Sequence, residues 1–319
     1  MNLKIFSLVS SLFFSWFTPL ISSKNQFLNK SADTAEFCQQ QLEKAYNTAK
    51  NAQQKEKVTF VKELDTYLRD KGLVKGSAFC IYLPEEVTTA DLTIIVKQPE
   101  KGRPHEPIFF NGTEKEMQEK VKQYPAEKYD VYLRNIETPN SPLTDGFLEQ
   151  NYITITEKLI HERLHDEFNL PMKIEEALCD AAAYLFAKDF FQSYQSRPDL
   201  VKEVEEHAQA HLKKAEIITD GYETLQWLYD RNISEEKKEE FRQKYLSELG
   251  EKLDDPAINA AKLARELSYN QYFCELYLVP LVVGFSVEEM MLLYRMLPND
   301  TEAAEKKILE WCETVGCRY

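Results

Sequence analysis

The chain has 319 residues, of which 43 % are hydrophobic and 29 % charged, and its formal net charge is −14. This composition supports a buried core and excludes a chain that is disordered along its whole length. The surplus of carboxylates repels phosphate backbones, so nucleic acid is excluded as an expected partner.

The first segment, residues 1–23, carries one lysine, then an uncharged and mostly apolar run, and then two serines. This order is typical of a secretory signal peptide, and the run is short for a membrane span. We therefore expect an exported protein, located in the periplasm, outside the cell or in a secretory compartment. The segment is either cleaved or kept as an N-terminal membrane tether, with a buried helix as the remaining alternative.

Six cysteines follow this segment, and an even number in an exported chain permits disulfides. Cys312 and Cys317 are close enough in sequence to pair, and buried thiols are the alternative. The chain contains no CxxC spacing, so the cysteines do not predict a thiolate zinc site.

Residues 24–150 are expected to form an N-terminal helix and a small mixed α/β layer. An apolar stripe predicts the helix within residues 32–72, and its members are Val58, Val61, Leu64 and Leu68. Four short runs rich in β-branched and aromatic residues predict a sheet of about four strands. These runs are residues 78–83, 91–97, 107–110 and 129–134. A further helix is expected at residues 114–123.

Residues 151–319 are expected to be entirely helical. The predicted helices cover residues 154–168, 173–195, 198–230, 234–250, 256–283, 285–296 and 301–314. The highly charged stretch 198–250 predicts an exposed helical hairpin. The predicted fold class is therefore α+β and predominantly helical, with the small α/β layer preceding the helical region.

Residues 161–165 read HERLH within a predicted helix. His161 and His165 are four residues apart and project from one side, with β-carbons ~6 Å apart, so both imidazoles can bind one zinc ion. Glu162 is rotated by about 100° from His161. Its carboxylate therefore stands beside the metal, where a base that takes a proton from water is needed.

The same helix has predicted ends and a predicted buried face. Thr154 and Glu157 have the spacing of a capping box, and Asn169 and Pro171 are stop signals. An apolar stripe is expected to seat the helix on the core: Ile153, Ile160, Leu164 and Phe168.

A helical zinc site with a catalytic role needs a third protein ligand and an open fourth position. The next predicted helix, KIEEALCDAAA at 173–183, offers Glu176 as that ligand and Asp180 one turn later. Asp180 can accept the second N–H of a ligating histidine and hold its ring in place. Glu175 is the alternative ligand, because spacing alone does not separate two adjacent carboxylates.

HERLH followed by EEALCD resembles the thermolysin-like zinc peptidases, in which HExxH precedes N-E-A-x-x-D on a second helix. The wider chain resembles the zinc aminopeptidase family of bacterial extracytoplasmic proteins, in order over residues 129–295. The matching stretches are YDVYLRNIET, ITEKLIHERLH, IEEALCDAAA, ETLQWLYDRNISEEKKEEFRQKYLSEL and ELSYNQY.

This resemblance implies a zincin-type catalytic region with one Zn²⁺ per chain and peptide or protein substrates. By the resemblance, His161, His165 and Glu176 are metal ligands, Glu162 is the catalytic base and Asp180 supports the ligands. The expected activity is zinc-dependent hydrolysis of peptide bonds, and the resemblance narrows it to an aminopeptidase. The alternative is a non-catalytic or regulatory binding protein that retains the metallopeptidase fold.

Four further residues are candidates for the cleft: His207, His211, Tyr269 and Asn270. The two histidines are four residues apart and have the spacing for a second metal or for proton donation, and a polar face on a charged helix is the alternative. A tyrosine hydroxyl can stabilise an oxyanion. For Tyr269 and Asn270, and for Tyr272 and Tyr277 nearby, core packing is the alternative.

Overall fold

The computed structural model describes residues 24–83, 89–97, 107–138 and 141–317. The chain is mostly helical, at 67 %, with one small sheet, which confirms the α+β class. The predicted signal segment, residues 1–23, lies outside the described residues. Within the described ranges, no helix is both long and apolar enough to cross a membrane.

Two helices, not one, form the N-terminal region: α1 (Lys24–Thr48) and α2 (Ala52–Asp70). The break falls at Asn51, whose side chain accepts a hydrogen bond from the Gln54 N–H and caps α2. The apolar stripe predicted for this region is fully buried on α2. A disulfide between Cys38 and Cys80 ties α1 to the segment that follows α2.

The sheet has three antiparallel strands, β1 (Thr89–Val96), β2 (Ile108–Thr113) and β3 (Tyr129–Ile136), in the order β2-β1-β3. Helix α3 (Glu114–Val121) follows β2. Because β3 pairs only with β1 in this order, it is an edge strand.

The prediction of a strand at residues 78–83 was wrong, because this segment makes only an isolated bridge between Tyr82 and Leu143. Its apolar residues are buried for another reason. Phe79 has a positive φ of 59° and stacks on Phe147 with ring centroids 4.1 Å apart. Cys80 is committed to the disulfide. The segment is therefore a core-packed loop.

The rest of the chain is helical, as predicted. The helices are α4 (Asp145–Glu149), α5 (Tyr152–Leu164), α6 (Met172–Asp189), α7 (Pro198–Tyr229), α8 (Glu235–Leu253), α9 (Ala260–Asn270), α10 (Phe273–Val283), α11 (Val287–Tyr294) and α12 (Thr301–Val315). A π-helical turn, Phe190–Tyr194, continues α6.

The prediction of one helix over 256–283 was wrong, because the chain breaks between α9 and α10. Asn259 caps the start of α9 by accepting from the Lys262 N–H. Tyr272 leaves the helical conformation, with φ −121° and ψ 9°, and its side chain is buried in the core. No proline or glycine lies at this break, so the sequence carries no stop signal there.

The main hydrophobic core surrounds α6 and runs from Leu42 in α1 to Cys312 in α12. It crosses the boundary placed at residue 150 in the sequence. Tyr67 of α2 packs on Phe186 and Phe190, with ring centroids 6.5 and 5.0 Å apart. Cys312 and Cys317 both remain thiols, with their Sγ atoms 2.7 Å apart.

Arg163, inside HERLH, is 1 % exposed and anchors α5 to the N-terminal region. Its Nη1 lies 2.8 Å from Oδ1 of Asp65 in α2, and its Nε donates to the Ala78 carbonyl at 2.9 Å. Gly76 packs so closely that a Cβ there would lie 2.5 Å from Cδ of Arg163. These contacts fix the position of the helix that carries both candidate histidines.

Candidate metal centre

Helix α5 brings HERLH to its C-terminal end. The helix begins after Asn151, whose side chain accepts from the Thr154 N–H, so the predicted capping box at Thr154 was wrong. The helix ends at Leu164, and His165 keeps a right-handed helical conformation as its C-cap. The stripe predicted to seat the helix is buried at Ile153, Ile160 and Leu164 and partly buried at Phe168.

Three potential ligand atoms converge between α5 and α6. Nε2 of His161 lies 3.1 Å from Nε2 of His165 and 3.2 Å from Oε2 of Glu176. Nε2 of His165 lies 3.5 Å from the same oxygen. A tetrahedral ion with bonds of ~2.0–2.1 Å holds its ligand atoms ~3.3 Å apart. The separations therefore match one face of a zinc coordination tetrahedron.

The other nitrogen of each imidazole faces a carboxylate. Nδ1 of His161 lies 2.7 Å from Oδ1 of Asp180, and Nδ1 of His165 lies 2.9 Å from Oε1 of Glu175. Each Nδ1 therefore carries the proton and donates, which leaves the Nε2 lone pairs directed at Glu176. Three acceptor atoms facing one another without a proton require a cation between them.

This arrangement separates the roles of the two adjacent glutamates. Glu176 is among the three converging donor atoms, as preferred from the spacing. Glu175 instead accepts from His165, and its Oε2 also accepts from the Leu170 N–H at 2.6 Å. Glu175 therefore orients a ligand, a role that the sequence did not reveal.

The local electrostatics favour positive charge. Burial disfavours a charge on His161, but the Asp180 carboxylate and then Glu176 outweigh it and raise the pKa of His161 well above its ordinary value. Burial alone would raise the pKa of Glu176, but hydrogen bonds with both histidines hold this pKa far below its usual range. A divalent cation supplies the charge that these buried carboxylates demand, so the residues fit a bound metal.

Glu162 stands beside the ligand atoms and is 8 % exposed. Burial raises the pKa of Glu162 above its usual value, against the opposing effect of the two histidines. A carboxylate with a raised pKa is a stronger base, so the position and the environment both suit proton transfer.

Two cavities of about 250 and 420 Å³ meet at the centre and form one cleft. Glu162 and Tyr269 line both cavities, as do Ile136 and Glu137 at the end of β3. The smaller cavity also contains His161, and the larger contains the other two potential ligands. The edge strand therefore forms one wall of the cleft and the HERLH helix the other.

Tyr269, a predicted cleft residue, faces the centre. Its ring centroid lies 6.2 Å from that of His161. Its hydroxyl oxygen accepts from Nη2 of Arg134 at 2.6 Å and from Nη2 of Arg265 at 2.9 Å. Because both lone pairs are used by guanidinium groups, the hydroxyl proton is left to donate towards the cleft.

Asp91 in β1 fixes these two arginines. Its Oδ2 lies 2.5 Å from Nε of Arg265 and 3.4 Å from Nε of Arg134. The sequence analysis missed Asp91 and both arginines. The visible signal was a carboxylate within the otherwise apolar strand TADLTIIV, since a charge in a buried strand requires a partner.

The remaining histidines occupy different positions. His211 lines the smaller cavity, where Nε2 lies 3.1 Å from Oδ1 of Asn270 and Nδ1 lies 3.2 Å from the Tyr184 hydroxyl. Burial lowers the pKa of His211, so it is a neutral side chain with both nitrogens engaged. His207 is more exposed and pairs with Glu157 at 3.2 Å.

A second metal site at His207 and His211 does not form among the described residues. Within them, potential ligand atoms gather at the metal centre and at Cys38, Asp65 and Cys80, where the sulfurs are joined as a disulfide. Tyr272 and Tyr277 are buried in the core, at 7 % and 4 % exposure. Of the predicted cleft tyrosines, Tyr269 alone lines the cavities around the centre.

Comparisons of the chain with protein-family models, with curated proteins and with solved structures found no match. The assignment of this centre therefore depends on its residues and their geometry.

Proposed function

We propose that the protein is a zinc-dependent peptidase with a zincin-type centre. The observation that carries this proposal is the convergence of His161, His165 and Glu176 while the other nitrogen of each imidazole is held by a carboxylate. Two imidazoles and one carboxylate are the ligand set of catalytic zinc sites that keep one position open. Both supporting carboxylates are of the kind that such ligands require.

The chain's own residues then divide the work of hydrolysis. Bound zinc would polarise the scissile carbonyl and lower the pKa of water. Glu162 takes the proton from the attacking water and later gives it to the leaving amine. Tyr269 donates a hydrogen bond to the oxyanion, oriented by Arg134 and Arg265.

The shape of the cleft supports a peptide substrate. It follows the edge strand β3, and an extended peptide can pair with an exposed strand edge. Beyond the smaller cavity the groove continues past Asn135 and Ile136 towards Phe147. A chain can therefore extend away from the centre, whereas release of single N-terminal residues follows only from the resemblance.

Glu162 favours an enzyme over the alternative of a binding protein on the same fold. A site that only binds metal or peptide has no need of a buried carboxylate with a raised pKa beside the ligands.

Digestion of a peptide library tests the proposal. The zinc-loaded protein is expected to carry about one zinc per chain and to cleave peptides. A chelator is expected to abolish cleavage, and added zinc to restore it. Identification of both new ends distinguishes release of single residues from internal cleavage. A protein that holds one zinc and cleaves nothing would be the binding protein instead.

We expect Tyr269→Phe to lower kcat by about 10²-fold or more, because it removes one donor to the oxyanion. Zinc content and KM should change little, since the ring and its packing remain. Steady-state kinetics on a peptide identified in the library measures this effect. Tyr277→Phe, which removes a hydroxyl outside the cleft, is the matched control. A kcat near the wild-type value for Tyr269→Phe would remove the residue from the mechanism.

A further inference from the structure

A third cavity, of about 690 Å³, adjoins the metal cleft. It shares Phe109 and Met172 with the half of the cleft that contains His165 and Glu176. Pockets that take small molecules or side chains have volumes of about 300–1,000 Å³. The cavity is therefore large enough for a substrate group, and it is continuous with the centre.

The lining of this cavity is mostly apolar. Its walls come from β2, the start of α6, and helices α7 and α9, and its apolar members are Pro107, Phe109, Met172, Tyr222, Ala264 and Leu267. The lysine that lines it, Lys173, is paired with Glu305. An apolar group enters such a cavity at lower cost than a charged one.

The apolar side chains at the shared entrance are in contact with water. Met172 is 43 % exposed, although it begins the helix that carries Glu176, and Phe109 is partly exposed. Covering such surface with an apolar group is favourable in proportion to the area removed from water. The entrance would thus gain most from an apolar group that passes between the cleft and the cavity.

We propose that this cavity selects substrates with a bulky apolar residue, aromatic or long aliphatic, adjacent to the scissile bond. The inference rests on the proposed peptidase function and names the substrate class of that same site. A peptide in the cleft has its scissile bond at Glu162 and His165, and the shared entrance lies on the His165 side. The side chain of the neighbouring residue extends through this entrance into the cavity.

A filled-cavity variant tests the proposal. Thr219 lines the cavity on α7, and Thr224 is exposed on the same helix outside it. A library with one varied position on each side of the bond measures kcat/KM for each side chain. The wild type should prefer Phe, Leu or Met over Ala and Asp by about tenfold or more at one position. Thr219→Trp should lose this preference and still cleave the Ala peptide, whereas Thr224→Trp should retain it.

A second variant covers the case in which Thr219→Trp does not fold. Met172→Glu changes an exposed side chain at the first turn of α6, where a carboxylate is tolerated. It should reduce cleavage of the apolar peptides selectively, with unchanged zinc content. Cleavage without any side-chain preference, or a preference that both variants retain, would overturn the pocket and leave the peptidase standing. Absence of cleavage of every peptide by the zinc-loaded wild type would overturn both.

Discussion

Glu162→Gln is expected to bind zinc like the wild type and to lose nearly all peptide hydrolysis. Glu162 lies outside the three converging donor atoms, so its replacement leaves the ligands intact. Gln has nearly the same shape and cannot accept the proton of the attacking water. Removal of a general base costs about 10²–10⁴ in rate, so we expect kcat to fall by this factor. Zinc analysis and peptide kinetics on the same preparation provide the measurement.

Glu157→Gln is the matched control for this variant. Glu157 is the other glutamate of α5 and lies along the same cleft, where it pairs with His207. Its neutralisation should leave hydrolysis close to the wild-type rate. Equal losses in the two variants would indicate a general effect of removing charge from the helix. Full activity in Glu162→Gln would contradict the assignment of the base.

Glu176→Ala and Glu175→Ala are expected to differ sharply in zinc binding. Glu176→Ala removes one of three ligands, and the purified protein should contain little zinc. Glu175→Ala removes only the partner of Nδ1 of His165, and loss of such a partner weakens metal affinity by about 10–100-fold. This variant should therefore still fill with zinc when the metal is supplied in excess.

Titration with zinc under competition from a chromogenic chelator measures both affinities. Asp180→Asn provides a further comparison, because Asp180 holds Nδ1 of His161 as Glu175 holds Nδ1 of His165. We expect Asp180→Asn and Glu175→Ala to fall in the same range of affinity. Equal zinc retention in the two glutamate variants, or stronger loss from Glu175→Ala, would exchange their roles.

The ligand geometry could be predicted because its determinants are local. Helical spacing places His161 and His165 on one side and puts Glu162 beside them. The same spacing links Glu176 to Asp180 one turn later, and the structure places both against His161. Short-range periodicity therefore contained most of the centre.

The support around the centre could not be predicted, because it is formed by residues distant in sequence. Tyr269 is oriented by Arg134 from the sheet, 135 positions away, and by Arg265 from its own helix. Asp91 holds both arginines. No pattern within one helix or strand specifies which distant strand will face it.

The errors in the fold have the same origin. Phe79 and Cys80 form an apolar run that predicts a strand, but burial and the bond to Cys38 hold them as a loop. The break at Tyr272 carries no glycine or proline, because packing of its side chain into the core turns the chain there. In both places tertiary burial prevails over local preference.

Arg163 couples the proposed metal centre to the stability of the N-terminal region. It belongs to the motif helix, yet its counter-ion, Asp65, lies on α2. Undocking α2 would leave a buried guanidinium unpaired, at a cost of about 3–5 kcal/mol. Because linkage is reciprocal, zinc that holds α5 in place also stabilises the docking of α2. Reduction of Cys38–Cys80, which releases the loop that contacts Arg163, should in turn weaken the hold on zinc, so the oxidation state of a distant cysteine pair acts on metal affinity.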